Sequence, residues 1–230
     1  MQDGKWNTNM KKAFTLTEII ITLFIVGIIA ALTIPAIIKN YREKIYSTQL
    51  KKVVSQIENA TKTVMSEEHS QSFHTTTAGI EDDGPEQGSR YFLGKYLKYT
   101  IYGCKKNNAH PCVAPGYKTL DGTDAGESFG SFCILTSNGA AVCMWNNPDA
   151  NCINTNDCTL IAMDVNGTDP PNIIGIDMFT AQINSAGQVV DVGTDESKCG
   201  IKTSNYGHIL DYGQGCLLKV MNNNWKIKEE

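Results

Sequence analysis

The sequence predicts an α+β protein, with one long N-terminal helix laid against an antiparallel β-sheet head. Three observations carry that prediction. Residues 19–38 are uncharged and mostly apolar, and at ~1.5 Å per residue they match the ~30 Å hydrocarbon core of a bilayer. From Tyr41 the apolar residues continue at helical spacing. After Cys104 the texture changes to short β-type runs punctuated by glycine and asparagine.

The helix is the longest element. Tyr41, Ile45, Val53, Ile57, Ala60 and Val64, with Leu50 and Val54 beside them, mark one face of an amphipathic helix. Only Gly27 and Pro35 interrupt the run, so a single helix over 15–66 is predicted, roughly 75–80 Å long. Pro35 removes one hydrogen bond and should kink or loosen the helix near Ala31. The expected divisions are a leader at 1–13, a membrane or filament-core helix at 14–38, an amphipathic helix at 39–66 and a head at 67–230. Residues 1–9 precede a more natural start at Met10 and read as an upstream extension or a start placed too early.

In the head, 67–90 is polar and reads as a loop. Tyr91, Phe92, Leu93, Tyr96 and Leu97 suggest a short second helix. Residues 131–137 and 140–145 flank Asn138-Gly139, a strong hairpin signal that fits a two-residue turn. Residues 159–165, 175–184 and 188–192 read as further strands, with Ser185-Ala186-Gly187 as a turn. Residues 216–220, followed by Trp225-Lys226-Ile227, read as an edge strand closing a sheet of four or five strands.

Charge divides the same way. Residues 1–66 hold nine lysines and arginines against four acidic residues, while 67–230 hold eleven against twenty. A basic stem carries a head of net −9, which gives no bulk attraction for nucleic acid. All eight cysteines lie in the head: Cys104, Cys112, Cys133, Cys143, Cys152, Cys158, Cys199 and Cys216. No C-x-x-C pair occurs, so disulfides are favoured over zinc, and disulfides imply an oxidising, extracytoplasmic compartment. Neighbours in sequence give Cys104–Cys112, Cys152–Cys158 and Cys199–Cys216. Cys133 and Cys143 remain, although a two-residue turn between them would put them on opposite faces. Lys11 and Lys12 before the apolar run are balanced by Lys39, Arg42 and Lys44 after it, so local basic counts do not orient the segment. The cysteines place the head outside.

One carboxylate stands apart. Lys11-Lys12-Ala13-Phe14-Thr15-Leu16-Thr17-Glu18 leads directly into the apolar run. An ionised glutamate at the edge of a spanning segment is costly and calls for a partner. An ordinary secretory signal has a shorter apolar centre, of about 7–15 residues, with small residues after it; here the small residue, Ala13, lies before it. This stretch, with Pro35 in the helix beyond, resembles the class III leader of type IV pilins and type II secretion pseudopilins. The resemblance implies a pilin-like fold and a cut between Ala13 and Phe14 by a prepilin peptidase, with methylation of the new amine. Ala13 departs from the glycine that most members carry there. It further implies that Phe14, Glu18 and Pro35 serve assembly. Its partners would be sister pilin subunits and an assembly ATPase acting through an inner-membrane platform. The Phe14 amine, cationic with a pKa of roughly 7.7–8.0, would pair with Glu18 of a neighbouring subunit.

Other chemistry is sparse. Asp164, Asn166 and Asp169 around Gly167 resemble the opening of a Ca²⁺ loop. The glutamate that closes an EF-hand is missing and Pro170-Pro171 intervenes, and ordinary turn chemistry gives the same composition. His69, His74, His110 and His208 are scattered, and no G-x-S-x-G, P-loop or H-E-x-x-H occurs, so no enzyme is predicted. Trp145 and Tyr206 are aromatics for a core or a partner. The expected role is a structural subunit of a pilus or secretion pseudopilus in the inner membrane. The alternatives are a tip pilin whose head binds a ligand, or an anchored domain that never polymerises.

Overall fold

The computed structural model describes residues 14–81, 84–104, 111–128, 132–146 and 159–228. The chain divides into two compact units, Met1–Tyr41 and Arg42–Glu230. Helix α1, Leu16–Glu67, runs unbroken for 52 residues through Pro35. Pro35 has no N–H to offer the Ala31 carbonyl, yet the helix is not interrupted there.

In the first unit the described side chains of α1 are almost all exposed, from Leu16 at 77% to Tyr41 at 67%. The segment is long and apolar enough to cross a membrane. The hydroxyls of Thr22 and Thr33 are satisfied locally. Thr22 donates to the carbonyls of Glu18 and Ile19, each at 2.9 Å, and Thr33 to that of Ile29 at 2.9 Å. Such back-bonding pairs these two hydroxyl donors in an apolar surround.

In the second unit α1 buries one face: Tyr46, Leu50, Val53, Val54, Ile57, Ala60, Thr61 and Val64. These positions form the wide stripe expected of a helix packed on a core. Tyr41, read from sequence as the start of that stripe, lies outside it. The helix ends in a Schellman motif. Ser70 N–H donates to the Met65 carbonyl at 2.9 Å and His69 N–H to that of Ser66 at 3.3 Å, with His69 at φ 51°. Helix α2, Gly88–Tyr96, buries Phe92 and Leu93.

The main sheet has six strands, β1 (Tyr99–Tyr102), β4 (Phe132–Thr136), β5 (Ala141–Asn146), β6 (Thr159–Asp164), β7 (Met178–Ile183) and β8 (Val189–Val190), in the order β1-β4-β5-β6-β7-β8. Every pairing is antiparallel. A separate two-stranded sheet joins β2 (Tyr117–Lys118) to β3 (Asp124–Gly126). Every residue of β6 is buried. Helix α2 packs on β4 and β5, and α3 (Leu210–Gly213) and α4 (Cys216–Asn222) pack on β7. The α+β layout read from the sequence is therefore correct, with six strands in place of four or five.

Two local readings are corrected. The hairpin at Asn138-Gly139 has a three-residue loop: Thr136 N–H bonds the Ala140 carbonyl at 2.8 Å, and Gly139 N–H bonds that of Thr136 at 3.0 Å. Gly139 takes φ 85°, the left-handed position such loops require. The extra residue shifts the register by one and sets Cys133 opposite Cys143. The segment at 216–220 is helix α4, not an edge strand; the edge is β8. A short apolar run is ambiguous between helix and strand, and here a distant carboxylate decides. Buried Asp191 accepts Gly215 N–H at 2.7 Å and Leu218 N–H at 2.9 Å, capping α4 from 24 and 27 residues away. Residues 175–177, read as the start of a strand, form a turn before β7.

Disulfides are built largely from core cysteines. Cys104 is joined to Cys112, Cys133 to Cys143 across β4 and β5, and Cys199 to Cys216 at the start of α4. Cys152 and Cys158 lie outside the described residues.

Candidate functional site

The first turn of α1 carries the polar cluster. Thr15 N–H and the Thr15 hydroxyl each donate to Glu18 Oε2 at 2.9 Å, and Glu18 N–H donates to Thr15 Oγ1 at 3.2 Å. This is a capping box, in which N-cap threonine and N3 glutamate satisfy each other's backbone donors. The Thr15-Leu16-Thr17-Glu18 pattern announced it in the sequence, where attention to an external partner for Glu18 passed over it.

Both Thr15 contacts fall on Oε2. A carboxylate offers about four lone-pair sites on its two oxygens, so Oε1 retains acceptor capacity for a donor from elsewhere. The negative charge also lies at the helix N-terminus, where the macrodipole favours it. Phe14 stands four residues before Glu18 and is 82% exposed. Ala13 lies outside the described residues. Pro35 sits within α1, far along the chain from Glu18, and the two do not form a common site.

The second polar cluster is internal. Asp164, at the end of β6, accepts the Tyr117 hydroxyl at 2.7 Å, and Tyr117 in turn accepts Ala114 N–H at 3.2 Å. Asp177 accepts the N–H groups of Asn172 at 2.7 Å and Ile173 at 2.6 Å, closing the turn that precedes β7. Burial raises the Asp164 carboxyl well above the usual range, and the charge of Asp177 adds to the effect. Burial likewise raises Asp177, to about 6, against the opposing pull of its two backbone donors.

The residues read as a calcium loop are distributed around this cluster. Asp164 faces the interior and Asp169 is exposed. Asn166 turns its amide donors to the carbonyls of Asp169 at 2.6 Å and Pro170 at 3.2 Å, and to the Tyr46 hydroxyl at 3.3 Å. Among the described residues no group of three or more His, Cys, Asp or Glu side chains is placed to hold a metal ion. The sequence reading missed Asp177 and Tyr117 as partners of Asp164, since they lie 13 and 47 residues away in opposite directions along the chain.

His69 caps α1, His208 stacks on Tyr206 with ring centroids 5.6 Å apart, and His110 lies outside the described residues. Trp145 is half-buried on β5.

Residues 8–34 match the prokaryotic N-terminal methylation motif, the prepilin-type leader of type IV pilins and pseudopilins. No curated protein and no solved structure matches the chain. The motif indicates a structural protein of pilin-like type, and with the apolar N-terminal helix it fits membrane anchoring.

Proposed function

We propose that this chain, bearing a prepilin-type leader, is a structural subunit of a type IV pilus or a type II secretion pseudopilus. One observation carries the reading. The methylation motif at 8–34 covers the first part of α1, where the apolar side chains are exposed and the lone acid, Glu18, sits at the first turn. A prepilin peptidase cuts between Ala13 and Phe14 and methylates the new amine. The Phe14 ammonium of one subunit then pairs with Glu18 of the next, on the oxygen that Thr15 leaves open.

The physical logic is compensation. An ammonium and a carboxylate are each costly in lipid, but paired and hydrogen-bonded they become compatible with an apolar filament core. The head lies on the extracytoplasmic side, where its disulfides persist. The remaining partners are sister pilins, the assembly ATPase and its inner-membrane platform.

The test is twofold. Mass spectrometry of the membrane-extracted protein should find a chain starting at Phe14 and one methyl heavier than the unmodified peptide. An intact N-terminus in cells with active prepilin peptidase leaves only an anchored domain. Glu18→Gln keeps the capping box, since glutamine serves at N3, but removes the charge. It should insert normally and fail to assemble. The eight cysteines of the head favour one refinement, a low-abundance tip subunit, which quantification against the other pilins would separate from a major subunit.

A further inference from the structure

The head is acidic, yet its C-terminal part is not. Residues 67–192 hold six basic against fifteen acidic side chains, whereas 193–230 hold five lysines against five acids. Three of those lysines, Lys219, Lys226 and Lys228, line one cavity of about 320 Å³. Its wall includes Leu120, Val220 and the Cys199–Cys216 disulfide. Glu196 is the one acid on the lining, and it is engaged by the Asn222 amide at 2.8 Å. No ion pair among the described residues takes up any of the three ammonium groups.

The cavity is braced around α4. The disulfide ties Cys199 to the first residue of α4, and Asp191 caps that helix. Gly175, at φ 83°, lies so close that an added Cβ would come within 2.9 Å of Cys199 Sγ. Beyond α4 the chain turns back through two consecutive left-handed residues, Asn224 at φ 55° and Trp225 at φ 61°. Trp225 N–H reaches the Val220 carbonyl at 2.8 Å. A bulky residue at positive φ is a real departure from preferred backbone, and such departures concentrate where a site needs its groups held. Here the reversal brings Lys226 and Lys228 back to the cavity that Lys219 borders.

We propose that this cavity binds a phosphate group, free or as the monoester of a small organic body. Lysine is a point-charge partner suited to phosphate. Three like charges around one cavity repel one another, and a bound dianion removes that repulsion. The apolar wall of Leu120, Val220 and the disulfide leaves contact surface for an organic body beside the anion. This binding is independent of polymerisation.

The experiment is calorimetric titration of the full-length protein in a nonionic detergent at constant ionic strength, with inorganic phosphate and then glycerol 3-phosphate. The expected result is saturable binding that weakens at least tenfold in K226Q/K228Q and is unchanged in K51Q/K52Q. All four positions are exposed, so neither double variant threatens the fold. Tighter binding of glycerol 3-phosphate identifies a monoester as the ligand class, and tighter binding of inorganic phosphate identifies the free ion. Absence of saturable binding overturns the proposal, as does equal binding by K226Q/K228Q.

Discussion

Helix α1 carries two apolar surfaces with opposite surroundings. From Tyr46 to Val64 the apolar face is covered by the head, with Leu50, Ile57 and Val64 fully buried. From Phe14 to Tyr41 the apolar side chains are exposed, with Leu23, Phe24 and Leu32 at 66%, 68% and 75%. Secondary structure is the same in both halves. What differs is the pattern around the helix: polar residues alternate with apolar ones in the second half and are nearly absent from the first. The difference shows where the chain completes its own core and where it leaves apolar surface open to lipid or to further protein.

The comparison can be broken most directly at Leu50. Leu50→Ala removes a fully buried side chain and should cost about 2–5 kcal/mol, read as a lower Tm of the full-length protein in detergent. Leu23→Ala should leave that Tm unchanged and reduce membrane partitioning. Equal loss of Tm in both variants would mean that the first half is also part of the folded core.

Acidity sharpens the contrast next, because the buried titrating groups belong to the head. The Asp177 carboxyl is raised to about 6 by burial, against roughly 3.9 in the unfolded chain. A raised folded-state value contributes stability that is complete below the unfolded pKa, about pH 4, and lost as pH rises through about 6. At ~1.4 kcal/mol per unit, the contribution is on the order of 3 kcal/mol. Stability measured by denaturant between pH 4.5 and 7.5 should therefore fall, and Asp177→Asn should flatten the slope. An unchanged slope would assign the effect to other carboxyls.

A smaller effect is expected where the head closes on α1. Gly187 sits at φ 74°, and a Cβ there would lie 2.9 Å from Thr61 Oγ1 and 3.0 Å from Met65 Sδ. Thr61 also hydrogen-bonds the Gly187 carbonyl, and Glu58 accepts Val189 N–H at 3.2 Å. Gly187→Ala should cost about 1–3 kcal/mol and speed amide exchange in α1 around Thr61. Exchange rates unchanged there would show that the turn does not fasten the helix.

The smallest effect belongs to the other end. Thr15→Val deletes the N-cap hydroxyl and should cost about 1 kcal/mol of local helix stability, confined to exchange of the first-turn amides. Any change in the Tm of the head would contradict the independence of the two surfaces.

Much of this was legible in the residues. The apolar run, the three-and-four spacing from Ile45 to Val64 and the Thr-x-x-Glu box are local patterns, and local patterns follow from helix geometry alone. The hairpin was legible in place but not in register. Asn138-Gly139 fits a two-residue loop, and the pairing of Cys133 with Cys143 depends on one residue more. The C-terminal segment was misread because Cys216-Leu217-Leu218-Lys219-Val220 satisfies either period over so short a length. Its helical state rests on Asp191 and Cys199, neither of which is near it in sequence.

By itself the sequence determined an N-terminal helix with a bare apolar half, an isolated Glu18 and an acidic, cysteine-rich head, because each of these is a property of neighbouring residues. Only the tertiary structure decided which residues share the buried Asp164–Tyr117–Asp177 cluster and which lysines border one cavity. It alone also made the C-terminal run a helix. Those outcomes depend on groups tens of residues apart meeting in a low-dielectric interior or on one rigid wall, and no local pattern encodes that meeting.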